Sequence, residues 1–274
     1  MKILFLGDII GRPGREALAV LIPKLKKKYK PDLIVANGEN LAHGIGITKI
    51  TFEQAVSIGI DVLTGGNHIF RKKEAFALLE DEQIPLVRPL NYPKGTPGRG
   101  FFVYQQGLKR IMIVNLIGRV FFQENFDDPF AAIEELLEDY TLKSEEVAEG
   151  KEKMDAIIVD FHAEATSEKK AMGYFLDGRV SAVIGTHTHI QTNDETILSE
   201  GTAYITDAGM IGVERSIIGA DINSIMPRFL KQMPTQMEVA GEGEVEAGGV
   251  LLEIKKHSGM AENIVKIRER VVKY

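Results

Sequence analysis

Short apolar segments rich in β-branched residues recur along the chain and alternate with helical patterns. The first three strand-like runs are residues 3–6, 33–36 and 62–63, and a helical pattern over residues 15–28 fits between the first two. The later strand-like runs are residues 101–104, 111–116, 156–159, 182–184, 203–205 and 250–254. This order of strands and helices predicts an α/β fold.

The connections refine this prediction. QQGLKR joins residues 101–104 to 111–116 and predicts a hairpin, so the sheet should be mixed. We interpret the charged stretch 142–153 as an exposed helix extension or loop, because a linker there would split the functional-looking residues between two domains. The glycine-rich stretch 238–249 predicts a flexible turn before a late strand. We therefore expect one domain over residues 1–274.

Composition excludes several classes of protein. There is no cysteine, so thiolate metal sites and cysteine nucleophiles are excluded, and any bound ion must be held by nitrogen and oxygen ligands. The net charge of -6 argues against stable nucleic-acid binding. The N-terminal apolar stretch is broken at Asp8, and no later run reaches membrane-spanning length. We expect a cytoplasmic protein with a small anionic substrate and no membrane partner; homo-oligomer formation stays open.

Polar side chains follow five of the strand-like runs, and four of the six histidines are among them. An Asp or Asn in such a place can be an ordinary turn former or helix cap. However, ligands of open α/β sheets bind beyond the carboxyl ends of the strands, so the five segments should build one pocket. The residues concerned are Asp8, Glu39, Asn40, Asn67, His68, His162, His187 and His189.

Residue types in this set indicate metal ions. His187 and His189 are expected to alternate along a strand and to point to one side, where a shared metal explains two neighbouring imidazoles. The candidate ligands number about twice what one tetrahedral ion needs, so we predict two ions, with Glu39 as the carboxylate that bridges them. Nitrogen and oxygen ligands including a neutral Asn suit Fe, Mn or Zn more than Ca or Mg. The predicted ligands are Asp8, Glu39, Asn40, Asn67, His162, His187 and His189.

The segments GDII, NGEN, GGNH and GTHTH resemble the metal-binding pattern of the calcineurin-like metallophosphoesterases. NGENxAHGxG, DFHAEATSEK and GTHTHxQT are similar to one bacterial branch of that superfamily, which hydrolyses 2′,3′-cyclic nucleotides and other phosphodiesters. The resemblance covers essentially the whole chain. Two positions differ from the superfamily pattern: Ile10 stands where a ligand His is usual, and Glu39 replaces the bridging Asp.

The resemblance implies mixed sheets packed face to face with helices outside. It also implies two divalent or mixed-valence ions, one held by Asp8, Glu39, Asn40 and His189 and the other by Glu39, Asn67, His162 and His187. A hydroxide between the ions would attack phosphorus. His68 would face the substrate and donate a proton or a hydrogen bond to the departing oxygen.

Further residues have weaker support. Arg12 could assist a substrate phosphate and His43 could line the pocket, although each could equally be an ordinary loop residue. Asp160, Glu164 and Asp207 could fix histidine tautomers. Two alternative functions stay open: a phosphomonoesterase or nuclease with the same metals, and a regulatory binding protein whose metals are structural.

Overall fold

The computed structural model describes residues 1–143 and 150–272, which form fifteen strands and six helices. In chain order the strands are β1 (Lys2–Ile9), β2 (Leu33–Asn37), β3 (Val62–Thr64), β4 (Leu86–Val87), β5 (Phe101–Gln106), β6 (Lys109–Ile117), β7 (Tyr140–Leu142), β8 (Glu152–Met154), β9 (Ala156–His162), β10 (Ala182–Thr186), β11 (Thr196–Ile197), β12 (Ala203–Ile205), β13 (Met210–Val213), β14 (Val245–Ile254) and β15 (Ala261–Val271). The helices are α1 (Gly11–Tyr29), α2 (Lys49–Ile58), α3 (Glu74–Glu80), α4 (Pro129–Asp139), α5 (Thr166–Phe175) and α6 (Ile222–Lys231).

Two mixed sheets contain most of the strands. The first has the order β15-β14-β13-β1-β2-β3-β4, and the second has the order β11-β12-β10-β9-β6-β5. In the first sheet β1 is parallel to β2 and to β13 but antiparallel to β14. In the second sheet β5 and β6 form the predicted antiparallel hairpin, and β6, β9 and β10 run parallel. The mixed character predicted from the sequence is therefore confirmed.

Alternation along the strands explains why the sheets stack. Successive side chains of a strand point to opposite faces. Phe5 of β1 accordingly shares an apolar cluster with Ile113 and Ile158 of the second sheet, whereas Leu6 packs in the cluster that contains the buried face of α1. A third cluster joins the other face of the second sheet to α4 and α5. The layers are helix, sheet, sheet, helix, as the fold prediction states.

The carboxyl ends of the central parallel strands meet at one end of this sandwich. In the first sheet these are β1, β2 and β3, and in the second they are β9 and β10. The loops that follow them therefore approach one another from both sheets. No helix within the described ranges is long and apolar enough to cross a membrane.

Two local predictions need correction. The stretch 142–153 does not begin as a helix extension: α4 ends at Asp139, and the flanking strands β7 and β8 pair in parallel, while residues 144–149 lie outside the described residues. The stretch 238–249 is not a turn throughout, because β14 begins at Val245. A Cβ on Gly249 would lie 2.5 Å from the Phe5 carbonyl oxygen, so the glycine permits close strand packing.

Candidate active site

All seven predicted ligands and His68 lie at the shared end of the two sheets. Asp8 is inside β1 near its carboxyl end, and His162 is the last residue of β9. The others occupy the loops that follow β2, β3 and β10. Segments separated by more than a hundred residues thus supply one group of side chains, which we call the ligand cluster: Asp8, Glu39, Asn40, Asn67, His162, His187 and His189.

His162 is at the centre of the first half of this cluster. Its Nε2 atom lies 3.1 Å from Glu39 Oε1, 3.3 Å from Asn67 Oδ1 and 3.0 Å from His187 Nδ1. Glu39, His162 and His187 each place a possible ligand atom within 4.8 Å of the others. These four residues are the set assigned to one of the two predicted ions.

The second half surrounds Asp8 and His189. Asp8 Oδ1 lies 3.8 Å from His189 Nε2, and the Asn40 side-chain nitrogen lies 3.3 Å from the same His189 atom. Asn40 also donates to Glu39 Oε1 at 3.4 Å. Glu39 therefore contacts members of both sets, which is the position that a bridging carboxylate requires.

Unpartnered oxygens show that the cluster fits cations. Asp8 Oδ1 and Asn40 Oδ1 are buried and have no hydrogen-bond partner among the described residues. Leaving a buried oxygen without a partner is costly, and a metal ion would satisfy both atoms. Gly66 leaves the necessary space, because a Cβ there would lie 2.2 Å from Glu39 Oε2 and 2.4 Å from His162 Nε2. The cluster offers only nitrogen and oxygen atoms as donors to such a cation.

Burial and mutual charge shift the pKa values of the cluster. Burial raises the pKa of Asp8 to about 6, against the opposing effect of His189 and His162. Burial also disfavours the charged forms of Glu39 and His162, but their attraction prevails: the pKa of Glu39 lies below its usual value and that of His162 rises to about 9. Burial, followed by repulsion from His162, lowers the pKa of His187 to about 2. His187 is therefore a neutral imidazole, the form that binds metal.

The loop that carries His187 and His189 differs from its prediction. β10 ends at Thr186, so the two histidines do not alternate along a strand. Their φ angles are 94° and 64°, in the left-handed region. Between them Thr188 is held by Asp207 Oδ2, which accepts from its backbone nitrogen at 3.1 Å and from its hydroxyl at 2.7 Å. Both imidazoles nevertheless line the same pocket.

The three supporting carboxylates have different neighbours. Glu164 Oε2 lies 3.0 Å from His187 Nε2, so it can fix that ring. Asp160 instead accepts from the hydroxyl of Thr186 at 2.6 Å, and this hydroxyl oxygen lies 3.0 Å from His162 Nδ1. Asp207 is paired with Lys169 rather than with a histidine.

The pocket above the cluster has a volume of about 230 Å³. Its lining includes the polar residues Glu39, Asn40, His68, His187 and His189. It also includes apolar residues that we call the apolar wall: Ile10, Ile218, Ala220, Met237 and Val239. None of the described residues that line it is Lys or Arg. The pKa of His68 is lowered, chiefly by burial.

The two weaker substrate candidates lie beside this lining. Arg12 is exposed, and its Nε donates to Glu16 at 2.6 Å. His43 is also exposed, while the next residue, Gly44, lines the pocket. Their roles at the substrate stay predictions.

Sequence reasoning missed the apolar side of the pocket. Ile10, at the position of the absent histidine, lies in this wall together with residues of two later segments, 218–220 and 237–239. Ile218 has a φ of 49°, and its carbonyl oxygen lies 2.8 Å from His189 Nδ1. A residue held in such a sparsely populated conformation costs about 1–3 kcal/mol. Large apolar residues clustered within 225–237 were the available signal.

Comparison with known proteins places the chain in a family. Residues 4–267 match the family described as YmdB-like protein. The chain belongs to this family. It is 45% identical over 268 residues to the 2′,3′-cyclic-nucleotide 2′-phosphodiesterase of Bacillus subtilis (strain 168), covering 97% of this chain and 96% of that protein. The bacterial branch predicted from the motifs is thereby confirmed.

Two crystal structures of similar proteins support the architecture. A hypothetical protein from Thermus thermophilus is 40% identical, with a TM-score of 0.88, and the match covers 98% of this chain and 99% of that one. A novel phosphatase from Mycoplasma pneumoniae is 33% identical, with a TM-score of 0.89, and the match covers 98% of this chain and 93% of that one.

Proposed function

We propose that this member of the YmdB-like family is a dinuclear metal-dependent phosphodiesterase that hydrolyses 2′,3′-cyclic nucleotides or related small phosphodiesters. Its family membership supports the class of phosphoric diester hydrolases, since the Bacillus relative carries that activity in its name. The observation that carries the proposal is the ligand cluster, in which buried Asp8 Oδ1 and Asn40 Oδ1 find no hydrogen-bond partner in the part of the chain that the structure describes. Such atoms are explained by cations.

Each residue of the cluster has a proposed place. Asp8, Asn40 and His189 would hold one ion, Asn67, His162 and His187 would hold the other, and Glu39 would serve both. Two cations bound there would neutralise charge on phosphoryl oxygens and would make water nucleophilic near neutral pH. Glu164 orients His187 by its contact with Nε2.

His68 is the proposed group at the departing oxygen. His68 lines the pocket, and its backbone nitrogen donates to Glu39 Oε2 at 2.9 Å, which holds the backbone of His68 beside that carboxylate. The ring itself lies near Asn67, whose Nδ2 is 3.4 Å from His68 Nδ1. Water would supply the new oxygen on phosphorus and lose one proton to solvent, and the P–O2′ bond would break. O2′ would receive a proton from His68, which would regain one from solvent. The product is a 3′-phosphate, in agreement with the name of the Bacillus relative.

The charge of the pocket favours a diester over a monoester. A diester carries one negative charge at the phosphate, whereas a monoester carries close to two near neutral pH. The described lining offers no Lys or Arg for the additional charge, and Glu164 adds an exposed carboxylate at the rim. We therefore expect the two ions to suffice for a diester and to bind a monoester less productively.

Metal analysis combined with three substrates tests the proposal. Purified protein should contain two ions per chain and should hydrolyse bis(p-nitrophenyl) phosphate and 2′,3′-cyclic AMP faster than p-nitrophenyl phosphate. Removal of the ions by a chelator should abolish turnover, and Mn²⁺ should restore it. A preference for the monoester would contradict the substrate assignment. Two bound ions without turnover of any ester would favour a regulatory binding protein instead.

A further inference from the structure

The apolar wall of the pocket exposes large side chains beside the ligand cluster. Ile218 is 46% exposed and Met237 is 51% exposed, although both line the pocket. Val239 and the buried Ile10 form the deeper part of the same wall. Exposed apolar side chains beside a polar site suit a ligand that has an apolar part.

Ile218 has a backbone conformation that is unfavourable for isoleucine. Ile217 and Ala220 exchange two backbone hydrogen bonds of 2.9 Å, which close a tight turn around Ile218 and Gly219. Both central residues have positive φ, 49° and 96°. Turns of this kind favour Asn or Gly first and Gly second, and a β-branched residue is disfavoured at positive φ. The turn would form more readily without Ile218, so folding does not explain its side chain.

Direct contacts connect this wall to the ligand cluster. The Ile218 carbonyl oxygen lies 2.8 Å from His189 Nδ1, so the turn contacts a proposed ligand. Val239 is bridged to Ala220, and a Cβ on Gly44 would lie 2.4 Å from its Cγ2 atom. The wall therefore has a fixed place relative to a phosphate bound at the cluster.

The size of the pocket and the charge of its lining define which ligand fits. A cavity of about 230 Å³ suits one small molecule rather than a chain of nucleotides. The absence of Lys and Arg from the described lining disfavours a second phosphate. A planar uncharged ring suits the wall, because methionine sulfur and aliphatic carbons pack well against aromatic faces.

We infer that Ile218, Met237 and Val239 form a subsite for the nucleobase of a cyclic mononucleotide. This inference rests on the proposed function and adds to it the part of the substrate that gives selectivity. The phosphate would be held at the ligand cluster and the base against the apolar wall. Cyclic phosphodiesters without a base would then be poorer substrates, chiefly through a higher KM.

Four variants and two substrates test the subsite. Ile218→Asn removes the apolar side chain but suits the turn, Ile218→Val retains an apolar side chain, and Met237→Ala shortens the rim. Met233→Ala is the matched control, since Met233 is 57% exposed in the same segment but does not line this pocket. The substrates are 2′,3′-cyclic AMP and glycerol 1,2-cyclic phosphate, which has the same five-membered ring without a base. kcat and KM are measured for each pair, with Tm for each variant.

Ile218→Asn and Met237→Ala should each lower kcat/KM for 2′,3′-cyclic AMP about ten-fold, mainly through KM, with a clearly smaller loss on the base-free ester. Ile218→Val and Met233→Ala should stay close to the parent on the nucleotide. The Tm of Ile218→Asn should equal or exceed that of the parent, which excludes misfolding as the cause.

Equal losses on both substrates, or no loss on the nucleotide, would overturn the proposed subsite but would leave the proposed phosphodiesterase activity intact. Turnover of neither ester by the parent would overturn both.

Discussion

Two groups of polar side chains are buried side by side at the end of the sheets, but they differ in their hydrogen bonding. In the Lys169–Asp207 pair the two residues are 1% and 0% exposed, and Lys169 Nζ donates to Asp207 Oδ2 and to the Thr186 carbonyl, each at 2.7 Å. Asp8 in the ligand cluster is also 0% exposed, but within residues 1–143 and 150–272 its Oδ1 has no hydrogen-bond partner.

This difference separates a structural role from a binding role. A buried pair whose atoms all find partners can stabilise a loop without any further ligand. Buried oxygens that lack partners imply a group that the protein chain does not itself provide. Lys169 and Asp207 therefore support the loop of His187 and His189, whereas Asp8 and Asn40 are assigned to ions. Burial alone would not have distinguished the Lys169–Asp207 pair from Asp8 and Asn40.

Glu39→Gln should have the largest effect on the ligand cluster. The substitution keeps the shape of the side chain but removes the charge that serves both ions and offsets their mutual repulsion. Since each ion contributes several kcal/mol to such reactions, we expect loss of both ions and a fall in kcat/KM of more than about 10⁴-fold. Metal analysis after gel filtration checks this expectation. Normal metal content and rate would refute the bridge.

His187→Ala should remove one ion and leave the other partly bound, because the two proposed sets share only Glu39. His187 Nδ1 lies 3.0 Å from His162 Nε2, so its loss affects that half of the cluster directly. We expect roughly a 10³- to 10⁴-fold loss of kcat/KM. Asn67→Ala should behave alike. Full occupancy of both sites in either variant would contradict the assignment.

His68→Ala should retain both ions and lose turnover. The backbone donor to Glu39 remains in alanine, and neither four-residue set needs the imidazole. General acid catalysis is worth about 10²- to 10⁴-fold, and we expect a loss in this range on 2′,3′-cyclic AMP. The loss should shrink on a nitrophenyl diester, because nitrophenolate leaves without a proton. Equal losses on both substrates with metal retained would mean that His68 positions the phosphate, and loss of metal would make it a ligand.

The sequence located residues at or just beyond the carboxyl ends of strands but not residues brought in by later segments. Asp8, Glu39 and His162 were predictable, because strand ends are visible in the apolar pattern and share one edge. The loop conformation of His187 was not, since it depends on Asp207 holding Thr188 from a distant segment. Ile218 escaped prediction because its turn contradicts local preference.

Strands β14 and β15 show the same limit of prediction from the sequence. Strand β15, which covers Ala261–Val271, is largely charged and was missed, because its outer positions alternate with only a few buried apolar residues. Its pairing with β14 supplies the regularity that its own sequence lacks. The glycines of β14 likewise looked like a turn, although Gly248 and Gly249 lie against neighbouring backbone.

Of these variants, Lys169→Met should have the smallest effect on kcat. It should lower the free energy of unfolding strongly. Removing one partner of a buried ion pair leaves the other charge uncompensated, which costs about 3–5 kcal/mol of unfolding free energy. Asp207 keeps its donors at Thr188 and Gly209, so we expect the lower end of this range. Lys170→Met is the matched control: Lys170 is exposed, its Nζ lies 3.8 Å from Asp194, and such surface pairs contribute only about 0–1 kcal/mol.

Lys169→Met should also weaken metal binding, because the Lys169–Asp207 pair supports the loop that carries His187 and His189. Residues that support metal ligands contribute about 10- to 100-fold to metal affinity. Metal titration of Lys169→Met should therefore show metal affinity lowered by that factor, and saturating metal should largely restore kcat.

The double variant Lys169→Met/Asp207→Asn should recover part of the lost unfolding free energy. No uncompensated charge then remains, and the amide oxygen can still accept from Thr188. Denaturant unfolding of the parent, both single variants and the double variant measures this coupling. A Lys169→Met protein of normal stability whose kcat stays low at saturating metal would place Lys169 in the reaction and would end the distinction between the two buried groups.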